Sequence, residues 1–505
     1  MFRVAGCGSG SSNVGLRETA LVDSVSPTEP NPTALRRGAP ATHKTNLKTE
    51  MLSSATDSKR IRRLFACTIL LAVTGCSVLD PHRVLTRSGA ATPVATTPVP
   101  MPDDNLRAEA IDFVWTTVNE RYFDPKLNGV DWRAVRTQYE PKMLAAKSDD
   151  EFWELLDKMT GELKDSHTRV HSPKLVQQQR NNESHSLGVG FVELDGELVV
   201  TSVNTQSDAW WASARAGMVI KTIDGNAALP YYQKLVVESR DSSTPWARTR
   251  GALRKVNAGD IGSEVSMTFV RSDKSEFSST MKRRKFSTPP DFTPRVLPSG
   301  FGYIRFSNFL GNLESGIMAE IDKMRDTPGM IIDLRGNGGG SGEMSRRLLG
   351  RFFKDDQTGV TVRTRTGKPI SVFFIPIAKL DQQLKGSKER AYTKPVVVLT
   401  NESSASASEV FSVVMKESGR ATLIGQRTCG CLLGYMGMAD VPGGAQMAYS
   451  ELAFVTKNGA KVEGDGVAPH VEVQLTRDDL LHNRDRVLER AVEVLSAGTG
   501  SVATR

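Results

Sequence analysis

Apolar residues recur at helical spacing early in the chain. Ile111, Val114, Trp115 and Val118 form one set, and Phe152, Leu155, Leu156 and Met159 form another. The spacing predicts an N-terminal helical region over residues 106–180. From 186 to 286 the period shortens. Leu198-Val199-Val200-Thr201-Ser202-Val203 reads as a strand, and Val265-Ser266-Met267-Thr268-Phe269-Val270 alternates. From 300 onward the two patterns take turns. Strands are expected at Phe301–Phe306, Gly329–Leu334, Pro395–Thr400 and Ala421–Gly425, with helices at 312–326, 342–353 and 406–418. Such alternation predicts an α/β core, placed at 290–475. Leu480, Val487, Leu488, Ala491, Val492 and Leu495 put a last amphipathic helix in the segment 476–505.

The first hundred residues follow neither period. Lys59-Arg60-Ile61-Arg62-Arg63 is a basic run, Leu64–Val73 is mostly apolar, and Val73-Thr74-Gly75-Cys76 follows. A charged stretch, a short apolar stretch and small residues before a cleavage point make a secretory signal. Ten helical residues span about 15 Å, half a bilayer core, which excludes a transmembrane helix here. Met51 lies just upstream, so 51–76 is read as the signal peptide and 1–50 as a misassigned upstream segment. Residues 77–105, rich in Pro, Thr and Ala, are read as a flexible tether.

Composition narrows the function classes. A chain of 505 residues has room for about three domains. No run of about 20 apolar residues occurs, which excludes a multi-span membrane protein. Five Cys in 505 residues exclude a disulfide-built scaffold. The net charge of +8 is uneven: residues 1–76 hold 10 Lys and Arg against 5 Asp and Glu, leaving 55 against 52 for the rest. That remainder has no basic stripe with interleaved aromatics, so nucleic-acid binding is set aside.

Within 186–286, Ser186-Leu187-Gly188-Val189-Gly190-Phe191 and Ala216-Gly217-Met218-Val219-Ile220-Lys221-Thr222-Ile223-Asp224-Gly225 stand out. Together they resemble a PDZ domain of the kind found in bacterial proteases, with Met218 where an Asp is usual. The resemblance implies that Leu187, Gly188, Val189, Gly190 and Phe191 form a loop whose N–H groups capture a peptide C-terminus. An all-β domain with glycine turns is the plainer alternative.

Chemistry concentrates in the α/β segment. Asn401-Glu402-Ser403-Ser404-Ala405-Ser406-Ala407-Ser408-Glu409 lies between a buried strand and a helix. A Ser there presents its hydroxyl at the sheet edge, and the helix N-terminus offers N–H groups to a developing oxyanion. Ser406-x-x-Glu409 before an apolar run also fits a capping box, which needs no chemistry. Asp333-Leu334-Arg335-Gly336-Asn337-Gly338-Gly339-Gly340 runs from a strand into glycines that permit close backbone approach. It lacks the Gly-Lys-Ser/Thr ending of a phosphate loop. His167 and His171 would share one face if helical, but no third ligand stands out, so no metal site is assigned and no cofactor is expected.

These segments occur in order with Gly425-x-x-Thr428-x-Gly430 and Gly464-Asp465-Gly466-Val467-Ala468-Pro469. The set resembles the C-terminal processing peptidases, also called tail-specific proteases, over about 105–475. The resemblance implies a crotonase-like α/β spiral, a nucleophile at Ser406, and an oxyanion hole from the N–H groups of Ala407 and Gly339. It breaks where those peptidases carry a basic Lys. Here the chain reads Thr428-Cys429-Gly430-Cys431-Leu432, with Cys431 at the Lys position. Relatives similar to the tricorn core protease use Ser, His and Glu, and the matching positions hold His167 and Glu463. Cys429 and Cys431 are left open as free thiols, packing residues, a local disulfide, or, for Cys431, a base or redox switch.

Two readings follow. One is a serine endopeptidase of the bacterial cell envelope. It would be lipid-anchored through Cys76, face the periplasm, and take polypeptide substrates by their tails through the PDZ-like domain. The other is a catalytically inactive binding protein for peptides or small apolar ligands on the same fold, which the missing Lys favours.

Overall fold

A computed structural model describes residues 103–181, 185–286, 291–372 and 375–500. The predicted signal, Cys76 and the tether as far as 102 lie outside the described residues. Among the described residues no helix is long and apolar enough to cross a membrane.

The helical region begins inside the segment expected to be tether. Asp103 accepts the Leu106 N–H and caps the helix Asp104–Arg121, because a carboxylate satisfies an N–H that the first turn leaves free. Asp131 and Ser148 cap Trp132–Leu144 and Asp149–Gly161 in the same way. The three helices bury Ile111, Val114, Val118, Phe152, Leu156 and Met159 in one core. Trp115 and Trp132 fasten two of them reciprocally, each indole N–H donating to the other's carbonyl at 2.9 and 3.0 Å.

His171 does not continue a helix from His167. It ends the strand Arg169–His171, so the two imidazoles do not share a helical face. No cluster of three or more metal-ligating side chains occurs among the described residues. The strand pairs antiparallel with Ala445–Ala448, which pairs with Ala439–Val441. Both partners lie almost 300 residues downstream and bury Val441, Ala445 and Met447 in the helical core.

Residues 185–286 build their own antiparallel sheet. Its order is Val189–Leu194, Glu197–Val203, Val219–Ile223, Glu264–Val270 and Glu276–Lys282. The short pairing of His185–Ser186 with Arg284–Lys285 closes the segment at its base. The helices Ala228–Glu238 and Pro245–Asn257 contribute Tyr232, Ala252 and Val256 to its core.

The central sheet has six strands in the order Phe292–Val296, Gly302–Phe306, Met330–Asp333, Val396–Thr400, Thr422–Gly425 and Val471–Glu472. Only the first pair is antiparallel. Both faces are covered, as parallel strands require. Met330, Ile332, Val396 and Val398 face the helices Gly342–Gly350 and Ala407–Glu417, while Ile331, Val397 and Leu399 face Ala491 and Leu495 of the last helix, Arg486–Gly500. The predicted C-terminal helix is thus two: Arg477–Leu481 precedes it. A second sheet, absent from the sequence reading, orders Asp381–Leu384, Gln357–Thr364, Leu452–Val455 and Leu433–Gly434 beside the end of the central one. The whole is a mixed α/β fold with N-terminal helices and several sheets.

Candidate active site

The strand Val396–Thr400 is buried along its length and leads through a short turn to Ser406, at the head of the helix Ala407–Glu417. Ser406 has φ +55°, in the left-handed region that disfavours a residue with a Cβ. The surroundings hold it there. Its N–H donates to Glu409 Oε2 and to the Cys431 carbonyl, each at 3.1 Å, and its carbonyl accepts the Glu409 N–H at 2.8 Å. The carboxylate half of the capping box is therefore formed, and it fixes the turn on which the hydroxyl sits.

The neighbouring serines are engaged elsewhere. Ser404 Oγ donates to the Leu334 carbonyl at 2.7 Å, and Ser408 Oγ to Asn337 Oδ1 at 2.8 Å. Both are fully buried, whereas Ser406 opens onto a cleft of about 1040 Å³. Three serines in alternation thus divide into two that tie the turn to the glycine segment and one that faces solvent.

Asn337 is the clamp between those segments. Its amide donates to the Phe306 carbonyl at 2.9 Å, and its side-chain oxygen also accepts the Gly339 N–H at 2.9 Å. Gly339, at φ +95°, packs so tightly on the turn that a Cβ would lie 2.6 Å from the Ala405 carbonyl oxygen and 2.7 Å from Ser406 Cβ. Ala407 is the first residue of its helix, where an N–H has no intrahelical acceptor. Of the two expected oxyanion donors, Ala407 is thus placed beside Ser406 with its N–H unclaimed by the helix, while the Gly339 N–H is held by Asn337.

Glu409 reaches further than a cap. Buried completely, it also accepts from Thr428 Oγ1 at 2.6 Å, the Gly430 N–H at 2.7 Å and the Cys431 N–H at 2.9 Å. Burial pushes its pKa up to about 7 against the pull of these donors. Cys429 and Cys431 in that loop form a disulfide and are buried. Arg250 Nη2 lies 2.7 Å from Cys429 Sγ, and Ser166 Oγ 3.4 Å from Cys431 Sγ. A disulfide sulfur has no proton to exchange, so Cys431 in this state is no base. Lys416 is turned away, with Nζ on the Ala468 carbonyl at 2.6 Å.

His167 lines the same cleft as Ser406, Ala407 and Gly339, with the Tyr435 ring 6.3 Å away. Its loop is fixed from both sides. The buried Asp165 accepts the His167 N–H at 2.7 Å, the Thr168 hydroxyl at 2.5 Å and the Ser450 hydroxyl at 2.6 Å. Arg240 donates to the carbonyls of Asp165 and Thr168 at 3.1 and 2.8 Å. Burial lowers the His167 pKa; the Asp165 charge raises it and Arg250 lowers it further. Nδ1 is buried and has no hydrogen-bond partner among the described residues.

Glu463 stands behind the cleft wall rather than in it. Its Oε2 accepts the Leu432 N–H at 2.5 Å, and its Oε1 is buried with the Ser243 hydroxyl, already engaged with Ser166 at 2.9 Å, beside the carboxylate. Burial, then the Asp165 charge, push its pKa well above the carboxylate range. The structure therefore brings Ser406, His167, Ala407 and Gly339 to one cleft, with no hydrogen bond joining His167 to Ser406 or to Glu463. Asp165 and Glu409 had local signals, an Asp two residues before the His and an acid at the third helical position. Arg240, Arg250 and Ser243, which exchanges hydrogen bonds with Ser166 at 2.9–3.1 Å, lie on a distant segment and had none.

The loop Leu187–Phe191 is also described. The Leu187 N–H donates to the Asn257 carbonyl at 3.2 Å, the Gly188 N–H to Ser186 Oγ at 3.0 Å, and the Val189 N–H to Asn257 Oδ1 at 3.4 Å. Three of its expected carboxylate donors are taken by the chain itself.

Comparison with known proteins matches this architecture. The model of peptidase family S41 matches residues 300–473, and that of the tricorn protease C1 domain matches residues 104–161. A carboxyl-terminal-processing protease of Picosynechococcus sp. is 27% identical over 366 residues, covering 70% of this chain and 80% of the relative. A chloroplastic C-terminal processing peptidase of Tetradesmus obliquus is 26% identical over 403 residues, covering 74% and 79%. The crystal structure of mature CPAF shares the fold, with a TM-score of 0.59 at 15% identity, over 79% of this chain and 98% of that one. The chain carries a peptidase family S41 domain and a tricorn C1 domain, and it is similar to carboxyl-terminal-processing proteases, which are serine-type hydrolases.

Proposed function

We propose that this chain is a cell-envelope serine endopeptidase whose nucleophile is Ser406, whose base is His167 and whose orienting carboxylate is Glu463. The observation that carries the reading is the cleft itself. Of the three alternating serines only Ser406 faces it, from a strained turn at a helix N-terminus, and His167 lines the same walls. A Ser hydroxyl near neutral pH needs a positioned acceptor, and an imidazole kept neutral by burial is one. His167 Nδ1, buried without a partner, and Glu463 Oε1, which has room beside the Ser243 hydroxyl, are complementary, a ring nitrogen that can donate and an oxygen that can accept, both within the field of Asp165. Closing that pair would satisfy both atoms, fix the imidazole tautomer and bring the imidazolium under a carboxylate. The Ala407 N–H would receive the oxyanion, joined by the Gly339 N–H once it turns from Asn337.

Engagement of substrate C-termini at Leu187–Phe191 belongs to the same proposal. It requires the end of the helix Pro245–Asn257 to leave the loop, since Asn257 now occupies its donors. Lipidation at Cys76 would hold the enzyme at the envelope membrane.

The test is fluorophosphonate labelling of the full chain beside cleavage of an unstructured polypeptide. The label should fall on Ser406. Ser406→Ala should abolish labelling and turnover, and His167→Ala should lower both at least a thousandfold. Label on Ser404 or Ser408 would overturn the nucleophile. Intact labelling and turnover in His167→Ala would overturn the base. No labelling and no cleavage would return the chain to the binding-protein reading.

A further inference from the structure

A second cleft, of about 510 Å³, lies between the helix Asp149–Gly161, the strand Arg169–His171 and the helix Pro245–Asn257. Its charge is unbalanced. Seven Lys and Arg side chains line it against three carboxylates. Those carboxylates are already shared. Asp157 serves both Arg169 at 3.1 Å and Arg240 at 3.6 Å, Glu154 serves Lys158 at 3.2 Å and Lys255 at 2.9 Å, Asp260 serves Lys174 at 2.6 Å, and Arg248 reaches Asp241 at 2.8 Å. Arg254 is left over, with no ion pair and no side-chain hydrogen bond among the described residues. Arg169 has a second unmet need: its Nε is buried without a partner.

Arg254 therefore sits against like charge. The packed neighbours, then the charges of Arg169, Arg250 and Arg240, bring its pKa down to about 10 against the pull of Asp157, while the side chain stays open to solvent. A solvent-open guanidinium held beside other guanidiniums, with no carboxylate of its own, is placed to take an anion from solution. The planar fork of Arg suits an oxyanion with two oxygens to offer. We propose that this cleft is a binding site for an oxyanion, a carboxylate or phosphate group, taken by Arg254 with Arg169 beside it. The site is separate from the cleft of Ser406 and His167, so it stands whether or not those residues perform catalysis. Arg240 also holds the loop of His167 in place and Arg169 is tied to Asp157, which makes Arg254 the residue to change.

The test is a titration of the full chain with inorganic phosphate, followed by thermal unfolding and by calorimetry, against NaCl of equal ionic strength. Phosphate should raise the melting temperature saturably where NaCl does not. Arg254→Gln should weaken binding at least tenfold, and Lys221→Gln, on a distant strand, should leave it unchanged. Without phosphate, Arg254→Gln should melt no earlier than the wild type, because the side chain it removes has no partner. A peptide with a free C-terminus that displaces phosphate, where its amide does not, would identify a polypeptide carboxylate as the source. Displacement by neither peptide would identify free phosphate. Equal effects of phosphate and NaCl would overturn the proposal without recourse to any variant. So would undiminished binding in Arg254→Gln.

Discussion

Glu409 holds Ser406 by its main chain rather than by its hydroxyl: one carboxylate oxygen accepts the Ser406 N–H at 3.1 Å and the Cys431 N–H at 2.9 Å. The other takes Thr428 Oγ1 and the Gly430 N–H. One buried side chain thus joins the serine turn to the loop that carries Cys429 and Cys431.

Glu409→Ala should strand those donors in a buried site. The loss is expected to cost about 2–4 kcal/mol of stability, since unmet buried donors forfeit their full desolvation. Activity should fall tenfold or more as the turn at φ +55° relaxes. Urea unfolding and kcat/KM measured on the same preparation check it. Unchanged stability would mean that the 428–431 loop is held by its backbone contacts alone.

The same carboxylate gives stability a pH dependence of defined sign. Its folded pKa, about 7, lies above the ordinary 4.5. The folded state then prefers the proton, so its contribution is fully present below about pH 4.5 and is lost as pH rises through 7. The unfolding free energy of the wild type minus that of Glu409→Ala should fall by about 2–3 kcal/mol from pH 4.5 to 8. Subtracting the variant removes Glu463, whose raised pKa acts in the same direction. A difference that rises with pH would place an ionised Glu409 in the fold.

Cys429 and Cys431 are expected to be structural. Cys429→Ser with Cys431→Ser should keep at least half of the wild-type kcat/KM, because Glu409, the Cys431 carbonyl and the Gly430 carbonyl tie the loop without the sulfurs. Mass spectrometry of the unreduced protein should find neither as a free thiol. Turnover lost in the double variant but intact in His167→Ala would move the base to the Cys.

Much of this was legible because it is local. The helical periods around Ile111 and Phe152 and the buried runs Met330–Asp333 and Val396–Thr400 need no distant partner to be seen. Ser406 could be picked from its strand–turn–helix setting, but its neighbours' roles could not, since Ser404 and Ser408 differ from it only in what they meet from the glycine segment. The small sheets were missed for a similar reason. Leu433–Gly434 and Ala439–Val441 are too short to show a period of two; the first is a strand only through its pairing with Leu452 and Ala453, and the second is one arm of a short hairpin with Ala445–Ala448. The Asn257 contact on the Leu187–Val189 loop joins residues 68 apart, and no spacing rule reaches that far.

The final expectation concerns the charge next to the imidazole. If His167 is the base it must be neutral to accept the Ser406 proton, so activity is lost as pH falls through its pKa. Burial sets that pKa below 6.5, with Arg250 lowering it and Asp165 opposing. The acid limb of kcat/KM should therefore lie below pH 6.5 in the wild type. Arg250→Gln removes a positive charge that disfavours the imidazolium, so the limb should move to higher pH. The change need not unfold the protein, because Arg250 is itself desolvated and its side-chain hydrogen bonds run only to the sulfurs of Cys429 and Cys431. A merely structural Arg250 would lower kcat without moving the limb. A limb that stays in place in Arg250→Gln, while the protein remains folded and active, would mean that the group titrating in the rate is not His167.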